Sequence, residues 1–206
     1  EFPLSSCYYQ GYTSGTTGFP KGCVNNQDRF INHHQRTAIV YGITKEDNQI
    51  IPGPLFHGAP TLFSLSQLFV GGTVTILRGF DPEEVLRTIH RERTTNGFFV
   101  PVMLERILQL PNKDSYDVSS MRAIMVAGAP FQTSTKLKII SFLKNADINE
   151  FYGATEAGLI TNIVHNRALN KERSSGKTVM GMHIKIMDDD GNELEVGEIG
   201  EIFMNG

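Results

Sequence analysis

The 206-residue sequence contains no tryptophan and only two cysteines, Cys7 and Cys23. Two thiols do not make a disulfide framework, and the absence of a Cys-x-x-Cys pair removes the zinc sites built on that spacing. Cysteine usage of this kind fits a protein of the reducing cytosol. No apolar run reaches the roughly 18 residues of a membrane-spanning helix, and no basic-then-apolar leader opens the chain. No charge of one sign dominates either. Lys and Arg number 19, Asp and Glu 22, for a net charge of −3, which argues against a domain that binds nucleic acid through its phosphate backbone. No 20–50-residue period repeats and no low-complexity tract is present. An initiator Met is missing too: the chain opens Glu1-Phe2-Pro3 and closes Asn205-Gly206, so the expectation is a piece of a longer protein.

Hydrophobic residues at 40% and charged residues at 20% are ordinary for a globular chain. This length can bury roughly 70% of its unfolded surface. Strand-like and helix-like segments alternate. Tyr8–Thr13 reads as a strand ending in a Gly-rich turn, and Asn26–Tyr41 as a helix with Phe30, Ala38 and Ile39 on its apolar face. His33 and His34 point about 100° apart on such a helix, and both are expected half exposed in a structural role. Asn48–Pro52 is a strand, Pro60–Val70 a helix stopped by Gly71-Gly72, and Thr73–Leu77 a β-branched strand. Asp81-Pro82-Glu83-Glu84 is a strong helix start, with Asp81 as cap, and Val85, Leu86 and Ile89 form the buried stripe. Strands at Gly97–Val100, Arg122–Ala127 and Asp147–Tyr152 alternate with helices at Val102–Leu110 and Thr135–Leu143. This order predicts an α/β fold: a mostly parallel sheet flanked by helices. Strands at His183–Met187 and Ile199–Met204, joined through the turn Asp188–Asn192, predict a smaller antiparallel or mixed β region from about residue 175. The boundary is expected near residues 172/173, and 171–177 reads as a mobile loop.

The most informative segment is Thr13-Ser14-Gly15-Thr16-Thr17-Gly18-Phe19-Pro20-Lys21-Gly22. Its glycines permit close backbone approach, its hydroxyls donate, and Lys21 carries positive charge. Successive N–H groups in a tight turn form an anion-binding concavity, which suits a polyphosphate. Walker A spacing is absent, because Gly22 stands where a Ser or Thr should hold magnesium. The G-x-G-x-x-G dinucleotide fingerprint is absent as well.

This loop resembles the signature loop of the adenylate-forming superfamily, which includes acyl-CoA synthetases and peptide-synthetase adenylation domains. Further segments match in order. Pro54-Leu55-Phe56-His57 resembles the motif at the acyl-pocket mouth, and Ala127-Gly128-Ala129-Pro130 the turn along the adenine. Phe151-Tyr152-Gly153-Ala154-Thr155-Glu156 resembles the Tyr-Gly-x-Thr-Glu motif. Gly197-Glu198-Ile199-Gly200-Glu201 resembles a stretch near the end of the large domain. The likeness covers essentially the whole chain.

The resemblance implies ATP-dependent activation of a carboxylic acid as acyl-AMP, followed by thioester formation with CoA. Thr13, Ser14, Gly15, Thr16, Thr17, Gly18 and Lys21 would hold the outer phosphates, with Lys21 offsetting charge on the leaving pyrophosphate. Gly128, Ala129 and Pro130 and the run Glu150, Phe151, Tyr152, Gly153 and Ala154 would hold the nucleotide, with Tyr152 stacked on adenine. Gly153 would be kept small by the crowding of acyl carboxylate and α-phosphate. Thr155 would bond the α-phosphate, Glu156 would hold Mg2+, and His57 would line the carboxylate site and gate it. Residues 1–172 would be the nucleotide- and acyl-binding part of the large domain, and 173–206 an incomplete β subdomain. The family's ribose aspartate and adenylation lysine fall outside this stretch, so the 206 residues alone are expected to be inactive. No buried carboxylate for a substrate ammonium is evident, which favours a fatty, aromatic or other simple acid. Phe56, Phe63, Phe69 and Met103 are possible lining but read more readily as core. The alternatives are an amino-acid adenylation domain loading a carrier protein and a non-catalytic nucleotide-binding module.

Overall fold

The computed structural model describes residues 3–13, 18–168, 170–171 and 173–205. Ser14, Gly15, Thr16 and Thr17 of the Gly-rich loop therefore lie outside the described residues. The frame is a seven-stranded sheet. Its parallel strands are β3 (Asn48–Ile51), β4 (Thr73–Ile76), β5 (Asn96–Phe99), β6 (Ala123–Val126) and β7 (Asp147–Ala154). They lie in the order β4-β3-β5-β6-β7. β8 (Gly158–Val164) and β9 (Lys177–Thr178) then continue the same sheet antiparallel. The turn from parallel to antiparallel thus comes at Gly158, earlier than the sequence reading placed it. β10 (His183–Met187) and β11 (Glu201–Asn205) form a separate antiparallel pair.

Helices link the parallel strands: α2 (Gly58–Phe69), α3 (Pro82–Glu92), α4 (Pro101–Leu108) and α5 (Thr133–Phe142), with α1 (Gln27–Tyr41) ahead of β3. Side chains alternate between the sheet's faces with period two. Phe99, Ile124 and Val126 accordingly join one apolar cluster with Leu86, Leu104 and Ile139 of α3, α4 and α5. Phe98 and Met125 join another with Ala38, Tyr41 and Phe63 of α1 and α2. Asp81 caps α3 as its sequence demands, accepting from the Glu84 N–H at 2.7 Å, with Val85, Leu86 and Ile89 buried beneath.

α1 corrects one expectation. Its buried face is His34, Thr37, Ala38 and Tyr41, whereas Ile39 is 64% exposed. His34 falls on this stripe at i, i+3, i+4 and i+7, so it is fully buried rather than half exposed; His33 is half-buried. Arg122 closes the helix's far end, donating to the Tyr41 and Gly42 carbonyls and pairing with buried Asp47.

A second hairpin, β1 (Cys7–Thr13) with β2 (Lys21–Asn26), precedes α1. Asn26 ends β2 and also caps α1, its side chain accepting from the Arg29 N–H at 2.8 Å.

Candidate active site

Strands β5, β6 and β7 run parallel, so their carboxyl ends emerge on one edge, where open α/β sheets bind ligands. A cavity of about 790 Å³ opens there. Its wall brings together His57, Gly128, Ala129, Pro130 and the whole run from Glu150 to Thr155, segments nearly 100 residues apart in the chain. Thr13, Gly18, Lys21 and Glu156 are not in that wall.

Gly128 follows β6 with φ +90°, a conformation that a side chain resists, and its backbone passes close to Val100. Gly153 has a reason to be glycine in addition to the one expected. A Cβ there would come within 2.4 Å of the Gly158 carbonyl oxygen, where the β7–β8 register is irregular. The crossing of two backbones therefore excludes a side chain before any ligand is considered. Tyr152 is 38% exposed beside it.

Glu150 is held from below. Its Oε2 accepts from Lys136 Nζ and meets His165 Nε2, each at 2.6 Å. Burial alone would raise its carboxyl, but the bonds from His165 and Lys136 outweigh that and hold it below the usual range. Sequence reading placed Glu150 in the site without seeing Lys136 and His165. Neither stands out in the sequence: Lys136 shares its helix with Lys138, and His165 is followed by Asn166 and Arg167.

His57 is exposed at the start of α2. Its backbone caps that helix without a side-chain bond, and its ring lies 4.7 Å from that of Phe56. Phe56 is 79% exposed, Phe63 is fully buried core, and Met103 does line the cavity.

The β1–β2 hairpin carries the ends of the Gly-rich loop. Thr13 and Lys21 face each other across its last pair, and Lys21 is exposed. Gly11 packs so closely on Thr155 that a Cβ would lie 3.2 Å from the Thr155 methyl. The Cys23 thiol donates to the Thr155 carbonyl at 3.4 Å. The base of the loop is thus fastened beside Thr155. Glu156 is exposed on the adjoining turn. Among the described residues no three His, Cys, Asp or Glu side chains cluster to hold a metal ion.

The family model for AMP-binding enzymes matches residues 2–206. The chain belongs to this family. As an AMP-binding enzyme chain, it is 34% identical over 201 residues to the 2-succinylbenzoate–CoA ligase of Bacillus licheniformis, covering 95% of this chain and 40% of that protein. Among solved structures, the amide bond synthetase McbA from Marinactinospora thermotolerans superposes with a TM-score of 0.88 at 28% identity, over 95% of this chain and 39% of that one. ATP-bound MatB from Rhodopseudomonas palustris gives 0.85 at 26%, over 100% and 40%. The first curated relatives are matched over only 36% to 40% of their own length.

Proposed function

We propose that the protein activates a carboxylic acid with ATP and passes the acyl group to the thiol of CoA. The observation that carries this reading is the single cavity where His57, Gly128–Pro130 and Glu150–Thr155 converge beside the base of the Gly-rich loop. In the first step a carboxylate oxygen attacks the α-phosphorus of ATP, the α–β anhydride bond breaks, and pyrophosphate leaves. In the second the thiol sulfur bonds to the acyl carbon and AMP departs. Neither step needs a covalent enzyme intermediate, so positioning and charge stabilisation supply the catalysis.

Tyr152 stacks its ring on adenine, with the backbone of Gly128, Ala129 and Pro130 along the base edge. Thr155 donates to the α-phosphate. Thr13 to Gly18 and Lys21 cradle the outer phosphates, and Lys21 neutralises charge as pyrophosphate separates. The donor set suits Mg2+: one exposed carboxylate, Glu156, is what an ion shared with substrate phosphates requires. When bound, the ion would add charge neutralisation on the phosphates. His57, at the foot of α2, stands where an incoming carboxylate would pass. Glu150 is already engaged by Lys136 and His165, which supports an acid without an α-ammonium over amino-acid activation. Residues 173–206 are read as the start of a β subdomain, with β10–β11 as its first sheet.

The test is ATP–pyrophosphate exchange by the full-length protein across a panel of acids. Lys21→Ala and Glu156→Ala are expected to lower kcat by about 10²–10³-fold each, the usual size for a lost transition-state charge partner. Exchange at unchanged rates in both variants would overturn the site assignment.

A further inference from the structure

α1 contributes to the cavity wall a group that nothing above uses. His34 lines the cavity yet is only 1% exposed. Its Nδ1 lies 2.8 Å from Ser66 Oγ. That hydroxyl also lies 2.7 Å from the Leu62 carbonyl; with its one hydrogen donated there it accepts from His34, which assigns the ring proton to Nδ1. Nε2 is left with a bare lone pair, and among the described residues it has no partner. Burial pushes the ring's pKa down to about 4, so at neutral pH this nitrogen is an acceptor. Phe30 and Phe69 hold the ring edgewise and tilted, at 4.3 and 6.1 Å between centroids.

A buried acceptor without a partner is destabilising unless something fills it. The cavity wall carries apolar Leu62, Leu65, Phe98 and Met103 together with polar Tyr8, Asn25 and His33. A plain hydrocarbon tail would suit the apolar side chains and still leave Nε2 unpaired. A cationic tail is disfavoured, because Arg29 bonds to the adjoining His33 ring at 3.2 Å and Arg36 lies close enough to bear on it.

We propose that His34 Nε2 reads the tail of the acid: the substrate carries a neutral hydrogen-bond donor, a hydroxyl or an amide N–H, remote from its carboxylate. This inference rests on the acid-activation reading. His34 acts here as a specificity residue and takes no part in the chemical steps.

The experiment compares kcat/KM of the full-length protein for matched acids with and without the donor: 4-hydroxycinnamic against cinnamic acid, ω-hydroxyalkanoic against alkanoic acids of six to ten carbons, and 6-acetamidohexanoic against octanoic acid. A site built to bond a donor rejects the analogue lacking it, so at least one pair should differ by about tenfold or more. The hydroxyl and amide arms identify which donor is used. His34→Phe keeps the packing on Phe30 and Phe69 but removes the acceptor, and should bring that ratio to within about twofold while leaving the KM for ATP unchanged. A merely structural role would move ATP and every acid together. His34→Leu is the second variant. Ratios near one for every wild-type pair, or a ratio retained in either folded variant, would overturn the inference. If neither variant folds, the wild-type ratio decides alone. Failure of every acid to support exchange would overturn the acid-activation reading itself, and this inference with it.

Discussion

The parallel strands and the β1–β2 hairpin border one site but are held in place differently. Every residue of β5 and of β6 is buried, so their carboxyl ends, and the Gly128 turn with them, are fixed by packing on both faces. In the hairpin only Gly11 of β1 and Asn25 of β2 are buried. Its position depends on the ladder between the two strands, the Asn26 cap and the contact with Thr155. The strand-end side of the cavity is therefore part of the core, while the hairpin side is an attachment to it. Stability and catalysis should separate along this line.

The largest effect is expected at Phe63. This fully buried ring lies 5.3, 5.7 and 5.5 Å from Tyr41, Phe98 and Phe151. Phe63→Ala should cost about 3–5 kcal/mol in urea unfolding. It should also weaken nucleotide binding, because Phe151 precedes Tyr152. A loss below 1 kcal/mol would mean that the core does not support the strand-end side as described. His34 should produce a smaller effect, confined to a pH window. Its folded pKa near 4 lies below the 6.5 of an unfolded histidine, so the unfolded chain binds the extra proton. Its contribution is complete above about pH 6.5 and is lost as pH falls toward 4, amounting to about 3 kcal/mol at most. His34→Phe should reduce the slope over that window without abolishing it, because the pKa of His33 is lowered to about 4 as well; an unchanged slope would assign it to other groups. The smallest stability change is expected at exposed Lys21. Lys21→Ala should shift the unfolding free energy by no more than about 0.5 kcal/mol, although it lowers turnover. A marked loss of stability would place the hairpin within the core's cooperative unit.

Much of the α/β frame was legible because its signals are local. Asp81-Pro82 starts α3 wherever it stands, and the order of strands and helices implies a parallel sheet with its ligand edge at the carboxyl ends. β2 was not legible. Lys21–Asn26 is short, mostly polar and has little alternation, and becomes a strand only by pairing with β1. β8 was missed for the opposite reason, since a short apolar run such as Gly158–Val164 does not by itself distinguish strand from buried helix. Of the motif residues, His57, Gly128–Pro130 and Glu150–Thr155 meet at the strand ends, whereas Thr13, Gly18, Lys21 and Glu156 stay outside the cavity wall. The histidines of α1 entered the cavity wall unannounced, because which helix covers that edge depends on how α1 folds back on α2 and not on any local pattern. Gly153 was legible as glycine, but the backbone it crosses, a further reason for it, was not.

Asn26 is at once the last residue of β2 and the cap of α1, with no spacer between them. Loop, hairpin and helix therefore form one indivisible cassette from Cys7 to Tyr41. Anyone exchanging Gly-rich loops between relatives should exchange that whole block, because a splice at the Asn26–Gln27 joint would change the pitch at which α1 presents its histidines as well as the seat of the loop.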